Sequence, residues 1–273
     1  MRVFSVLRNT ARPSYLPVVA HKAYLRIRYG HDRERAAATA WASARAEDLP
    51  AWGRKIDETL WSEAESFSRT LTRSAQARVE RLATAGVVLG GPASIELLHF
   101  LTRALRPETV LETGVAAGWS SAAVLAAMRA NGHGHLYSSD FPCFRIPDAE
   151  RHIGHVVPDH LKDAWTLRIR GDRRNLDEML RPGVALDLVH YDSDKTRSGR
   201  EFFLGRTAPH LTDRHILVMD DIQDNLAFQE YAGTQSRFRV FAYGDKFVGM
   251  AGPGLGVLEG GGAPRAIAPA SGR

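Results

Sequence analysis

The chain has 273 residues, 44% hydrophobic and 25% charged, with a formal net charge of +5. That is enough for one large α/β domain with an extension, and it excludes a disordered or fibrous protein. No apolar run reaches the length of a membrane span, and a single cysteine, Cys143, excludes an internal disulfide and fits a reducing, cytoplasmic setting.

The charge is uneven. Residues 1–35 hold eight Lys/Arg against Asp32 and Glu34, leaving the remainder close to neutral. A basic arm attracts anions, but no aromatic-interleaved basic motif accompanies it, so nucleic acid is not the expected partner. The first twenty residues lack the continuous apolar core of a secretory signal.

In chain order, residues 36–45 read as helical and Leu49-Pro50 as a boundary. From Arg54, the positions Ile56, Leu60, Phe67, Leu71, Val79 and Leu82 keep to one helical face, and Gly86 ends that helix. Leu97, Leu98, Leu101 and Leu105 make the next stripe, stopped by Pro107. Five short apolar runs follow: 109–111, 135–138, 166–169, 186–190 and 216–219, alternating with helical stretches. That pattern predicts a mainly parallel sheet covered on both faces. Runs 237–243 and 247–251 around Gly244-Asp245 predict an antiparallel hairpin at one edge, giving seven strands. The expected division is a basic helical extension over 1–85, an α/β domain over 86–254 and a flexible tail over 255–273. The N-terminal helices offer a surface for a homodimer, although no residue specifies one.

Each of the five central runs is closed or followed by a carboxylate: Glu112, Asp140, Asp172, Asp192 and Asp220. Ligands of open α/β sheets bind beyond the carboxyl ends of the strands. After the first run comes Glu112-x-Gly114-x-x-x-Gly118, then Trp119-Ser120-Ser121 opening a helix. Glycines leave room for a ligand at the backbone, and the amides of a helix N-terminus favour a negatively polarised group. Tight helix–sheet packing is the structural alternative for Gly114 and Gly118, and helix capping the alternative for Ser120 and Ser121. Asp140 is able to accept from two vicinal hydroxyls at once.

This series, Glu112-x-Gly114-x-x-x-Gly118, then Asp140, then Gly171-Asp172, resembles the class I S-adenosylmethionine-dependent methyltransferases over about residues 90–211. The resemblance implies a Rossmann-like fold with S-adenosylmethionine as cofactor. Glu112, Gly114, Gly118, Ser120, Ser121, Asp140, Phe141, Asp172 and Asp192 then become its contacts, with Asp140 on the ribose and Asp172 near the adenine. Dinucleotide dehydrogenases also use an acid after the second strand, but their Gly-x-Gly-x-x-Gly fingerprint is missing here.

A second constellation joins Asp192-Ser-Asp194-Lys195 to Asp220-Asp221 at the next strand end. If the two strands are neighbours, Asp192, Asp220 and Asp221 converge and repel, and a hard divalent ion such as Mg²⁺ would relieve them. Asp-x-Asp-Lys looks like the catechol and caffeoyl-type O-methyltransferases, and Asp-Asp resembles the metal-dependent sugar O-methyltransferases of antibiotic pathways. The resemblance implies Mg²⁺ on Asp192, Asp220 and Asp221, with Lys195 or Asp194 as the base. The acceptor is then a small molecule, a sugar or another polyhydroxylated natural product. A metal-independent methyltransferase acting on another atom or on a macromolecule stays open, as does a non-catalytic partner protein. His152, His155 and His160 lie in a Pro-rich loop; that loop, 141–164, and the segment 222–236 are candidate covers for the acceptor pocket.

Overall fold

The computed structural model describes residues 34–260, apart from 93, 144, 145 and 147, together with residues 16, 20 and 24. Most of the basic arm and the stretch from 261 onward therefore lie outside the described residues.

Among the described residues, four helices precede the sheet's main strands. Helix α1 spans Arg35–Ser43, α2 Leu49–Ile56 and α3 Glu58–Thr84. The predicted boundary at Leu49-Pro50 is a helix start. The Asp48 carboxylate accepts from the Ala51 amide at 2.6 Å, and Pro50 sits where a missing N–H costs nothing. Asp57 caps α3 in the same way, accepting from the Leu60 amide at 2.9 Å. Helix α4, Ile95–Leu105, follows; Trp52 of α2 and Trp61 of α3 meet Phe100 of α4 edge-on with ring centroids 5.7 and 5.5 Å apart.

Among the described residues the sheet has eight strands: β1 Ala46–Glu47, β2 Thr109–Thr113, β3 His135–Ser139, β4 Trp165–Arg168, β5 Leu186–Tyr191, β6 Leu211–Met219, β7 Phe238–Tyr243 and β8 Lys246–Ala251. Their order is β1-β7-β8-β6-β5-β2-β3-β4. All pairings are parallel except those of β8 with β6 and β7. Seven strands fall where the apolar runs lie. The eighth, two residues paired with the outer strand of the hairpin, is too short to leave a periodic signal.

Alternation along the strands divides the core. Val110, Leu188, Ile216 and Val218 face a cluster built with α2, α3, α4 and α5 (Trp119–Asn131). Leu111, Val189, Leu217 and Met219 face the other cluster, which includes residues of α6 (Asp172–Met179), α7 (Arg197–Thr207) and α8 (Ala227–Gly233). The strand order reverses at β2, which lies between β5 and β3. In an open parallel sheet that reversal opens a crevice above the carboxyl ends, here directly over the glycine turn.

One boundary is corrected. Residues 255–259 were expected to begin a mobile tail, yet Gly254–Glu259 is a helix, α9, with Leu255 fully buried. Glu259 is tied to Arg237 at 3.0 Å and Arg239 at 2.8 Å. One buried leucine and two guanidiniums hold a segment whose glycine content argued for freedom.

Candidate active site

The glycine turn follows β2 and is held from three sides. Gly114 donates to the Ser139 carbonyl, while the carbonyls of Ala116 and Ala117 accept from the Gly154 and Val156 amides, each within 3.0 Å. Gly114 has φ +87°, and a Cβ there would lie 2.6 Å from the Asp192 carbonyl carbon. At Gly118, φ +91°, a Cβ would lie 2.8 Å from both Gly154 Cα and Val157 Cγ2. Both glycines therefore admit neighbouring chain: the loop after β5 at Gly114 and the 154–157 segment at Gly118. The loop 141–164 is thus pinned to the turn through Gly154 and Val156.

Glu112 is fully buried at the end of β2. Its Oε2 accepts from Ser121 at 2.5 Å and Ser138 at 2.7 Å. Ser121 serves this carboxylate from the first turn of α5, and Ser120 stands buried beside it. The other oxygen faces His190 Nδ1 at 3.6 Å, and His190 Nε2 faces Asp220 at 3.7 Å. Burial alone would make Glu112 a weaker acid, but His190, with Ser120 and Ser121, holds it below the ordinary range. Burial opposes the imidazolium, yet Asp220 and Glu112 outweigh it and push His190 up to about 10. His190, with its pKa raised, lies between Glu112 of one half of the site and Asp220 of the other. It was not singled out in the sequence, although a second ionisable residue beside Asp187 in a mainly apolar run was the available signal.

Asp140 closes β3. Its carboxylate accepts from the Ala116 amide at 2.8 Å and the Phe141 amide at 2.6 Å. Burial is the largest influence on it; with Asp172 and Glu112 nearby, it outweighs these amides and pushes the pKa up to about 6. A carboxylate placed so, with amides rather than a cation as partners, fits the vicinal hydroxyls of a ribose, which would supply further donors. Asp172 opens α6 in the same crevice, where it accepts from Ser139 at 2.6 Å and Ser193 at 2.5 Å. It is brought beside Asp140, already engaged by two hydroxyls.

The acceptor half lies over β5 and β6, which are neighbours as the sequence argument required. Asp192, Asp220 and Asp221 all sit at this edge, but two lysines come with them. Lys195 Nζ is bonded to Asp192 Oδ1 and lies 3.0 Å from Asp221 Oδ2, and Lys246 Nζ lies 3.1 Å from Asp221 Oδ1. Ser94 donates to Asp220 at 3.3 Å. Burial disfavours the Lys195 ammonium, but Asp192 and Asp221 outweigh it and raise its pKa. Burial is also the largest influence on Asp192, raising it; at Asp221 the lysines prevail over burial and lower it to about 2. Asp194 turns away towards α7: its carboxylate accepts from the Thr196 amide at 3.1 Å and packs over Gly199.

The expected Mg²⁺ does not fit the acids as they stand. Mg²⁺ needs near-octahedral oxygen ligands at about 2.0–2.1 Å, whereas an ammonium already bridges Asp192 and Asp221. Among the described residues, no group of three or more His, Cys, Asp or Glu is arranged to hold a metal, and that includes the loop histidines 152, 155 and 160. Where the sequence suggested repulsion between acids, Lys195 stands between Asp192 and Asp221.

Arg200 of α7 is a second residue that sequence reasoning passed over. Its side chain is fully buried, and it donates to the Asp221 carbonyl at 2.6 Å, the Asp220 carbonyl at 3.2 Å and Asn225 Oδ1 at 3.2 Å. Asn225 in turn donates to the Lys195 carbonyl at 2.9 Å. One guanidinium thus ties the loop after β6 to the loop after β5.

A family model described as a methyltransferase domain matches residues 111–222, which contain the glycine turn, Asp140, Asp172 and the Asp192–Lys195 loop. Among solved structures, a candidate O-methyltransferase from Klebsiella pneumoniae aligns at 17% identity and TM-score 0.52, over 70% of this chain and 98% of that one. The O-methyltransferase from Bacillus cereus in complex with SAH aligns at 15% and 0.51, over 71% and 98%. The O-methyltransferase TomG from Streptomyces achromogenes, involved in tomaymycin synthesis and solved with SAM, aligns at 19% and 0.51, over 71% and 97%. At these identities the likeness is one of fold. No curated protein matches the sequence. Among the described residues, no helix is long and apolar enough to cross a membrane.

Proposed function

We propose that this chain is a class I S-adenosylmethionine-dependent methyltransferase that methylates a hydroxyl oxygen of a small polyhydroxylated molecule; the matched methyltransferase domain and the fold support this reading. The observation that carries this reading is the row of acids at the carboxyl ends of adjacent parallel strands. Glu112, Asp140 and Asp172 surround the glycine turn, and Asp192 and Asp220 stand on the other side of the reversal. The O-methyltransferases that share the fold support the choice of oxygen.

Bound cofactor supplies an electrophilic methyl on a sulfonium. Asp140 would hold the ribose hydroxyls, with Asp172 beside it towards the base. Glu112 stays within the wall of the crevice, where its two serines and His190 fix the end of β2. S-adenosylmethionine held there would supply its methyl to the acceptor oxygen and leave as S-adenosylhomocysteine, while the hydroxyl proton would pass to a base. Lys195 is held as an ammonium and donates instead of accepting. Asp194 is engaged at the start of α7. The proton acceptor in this reading is Asp192, whose carboxylate burial makes more basic than an ordinary aspartate.

The test is a panel of sugars, phenols and other hydroxylated natural products incubated with cofactor, each product being read by mass spectrometry. A gain of one methylene unit on oxygen is expected. Methyl transfer to nitrogen or to a macromolecule instead would replace the reading. With an acceptor in hand, Asp192→Asn should lower kcat by about 10²–10⁴-fold, the usual contribution of a positioned base, and Asp194→Asn should lower it far less.

A further inference from the structure

We infer that Lys195, backed by Lys246, is the resident cation of the acceptor site, occupying the seat among Asp192 and Asp221 that a divalent ion would otherwise take. This inference rests on the methyltransferase reading for its purpose but not for its geometry.

Three features build the seat. The Lys195 ammonium contacts a carboxylate from each of two loops, Asp192 after β5 and Asp221 after β6, and Lys246 from β8 adds a second ammonium to Asp221. The backbone beneath Lys195 is fixed, because its carbonyl accepts from Asn225, and Asn225 is held by the buried Arg200 that also grips the carbonyls of Asp220 and Asp221. The loop carrying Asp192 is packed against Gly114, where even a methyl group would collide with it, so Asp192 has little room to retreat. Asp220, the remaining acid, faces His190 and Ser94.

A divalent ion would therefore have to expel an ammonium from two carboxylates whose loops are locked together. The same ammonium is bonded to Asp192, the carboxylate proposed above to take the acceptor's proton. It is a donor able to orient the acceptor oxygen and to offset its charge as the proton leaves, the service a metal gives in other enzymes. The consequence is methyl transfer that survives thorough chelation.

The test uses the purified full chain and Mn²⁺ as a paramagnetic probe, with Mg²⁺ as competitor. Wild type should show no saturable Mn²⁺ binding in the millimolar range by electron paramagnetic resonance. Its unfolding temperature should not rise with added Mg²⁺. Lys195→Ala, shown to be folded by circular dichroism, removes the ammonium that bridges Asp192 and Asp221 and leaves only Lys246 on Asp221. It should bind Mn²⁺ at least about tenfold more tightly than wild type, about 1.4 kcal/mol in binding free energy. Saturable binding by wild type that Mg²⁺ displaces would overturn the inference, and so would a folded Lys195→Ala that gains no affinity. If the alanine variant fails to fold, Lys195→Met keeps the stem and is read in the same way, and the wild-type measurement decides by itself in one direction. Calorimetry with S-adenosylhomocysteine on wild type separates the two readings: absent cofactor binding would sink the methyltransferase proposal, whatever the manganese result.

Discussion

Substituting Gly114 by alanine tests how the two halves of the site are joined. The residue has φ +87°, and its Cβ would lie 2.6 Å from the Asp192 carbonyl carbon and 3.0 Å from the Ser193 amide nitrogen. Placing an L-residue in left-handed backbone costs about 1–2 kcal/mol, and forcing rigid backbone apart costs about 1–3 kcal/mol more. The expected loss is about 2–5 kcal/mol, read as a lower urea midpoint with unchanged slope. In a thermal scan it corresponds to a fall of about 5–15 °C for a domain of this size. The control lies in α7, where a Cβ on Gly205 meets nothing within 4 Å, so Gly205→Ala should stabilise by about 0.5–1 kcal/mol through helix propensity. The collision at Gly114 pushes the loop that carries Asp192 and Lys195, so turnover should fall further than stability alone explains. If Gly114→Ala unfolds at the wild-type urea midpoint, the close packing of the two loops is refuted.

Three more outcomes follow from the same contacts. His190 is raised to about 10 from 6.5 by Asp220 and Glu112 against its burial, so its contribution is fully present below about pH 6.5 and fades as pH rises towards 10. His190→Asn should be less stable than wild type at pH 6 by urea titration, with the gap narrowing at alkaline pH; a constant gap would contradict a buried imidazolium. Asp140 carries the opposite sign. Its folded pKa, up at about 6 chiefly through burial, means that ionisation costs stability as pH passes from 3.8 to 6, so Asp140→Asn should unfold at higher temperature than wild type at pH 7. Arg200→Met removes the bonds holding both acceptor loops and should speed amide exchange at residues 194–196 and 221–225, leaving β2 and β3 unaffected.

How much of this was legible depends on the kind of signal. Strands β2 to β8 announced themselves because apolar runs of three to seven residues between turn residues have few other uses. The acids at their ends were legible because a carboxylate closing one strand after another has no packing purpose. What those acids bond to was not legible. The lysines face inward because β8 brings Lys246 across from β6, and Arg200 fixes the turn after Asp192, relations that arise only on folding. His190 hid within the run Leu186–Tyr191, where every residue is buried and Asp187 is ionisable as well. The glycines were legible as special positions, but the sequence does not tell whether ligand or neighbouring chain fills the space beside them. Ser138, Ser139 and Ser193 were invisible for a simpler reason: small hydroxyl residues occur everywhere, and only the structure aims these at Glu112 and Asp172.

The account turns most directly on Asp140, and a calorimetric titration of S-adenosylhomocysteine into wild type and Asp140→Asn tests it. Wild type should bind at one site, and the variant, with its carboxylate replaced but its fold intact, at least about tenfold more weakly, a loss of about 1.4 kcal/mol. Equal affinity in the two proteins would mean that the crevice above β2 and β3 does not hold the cofactor, and the account would fail there.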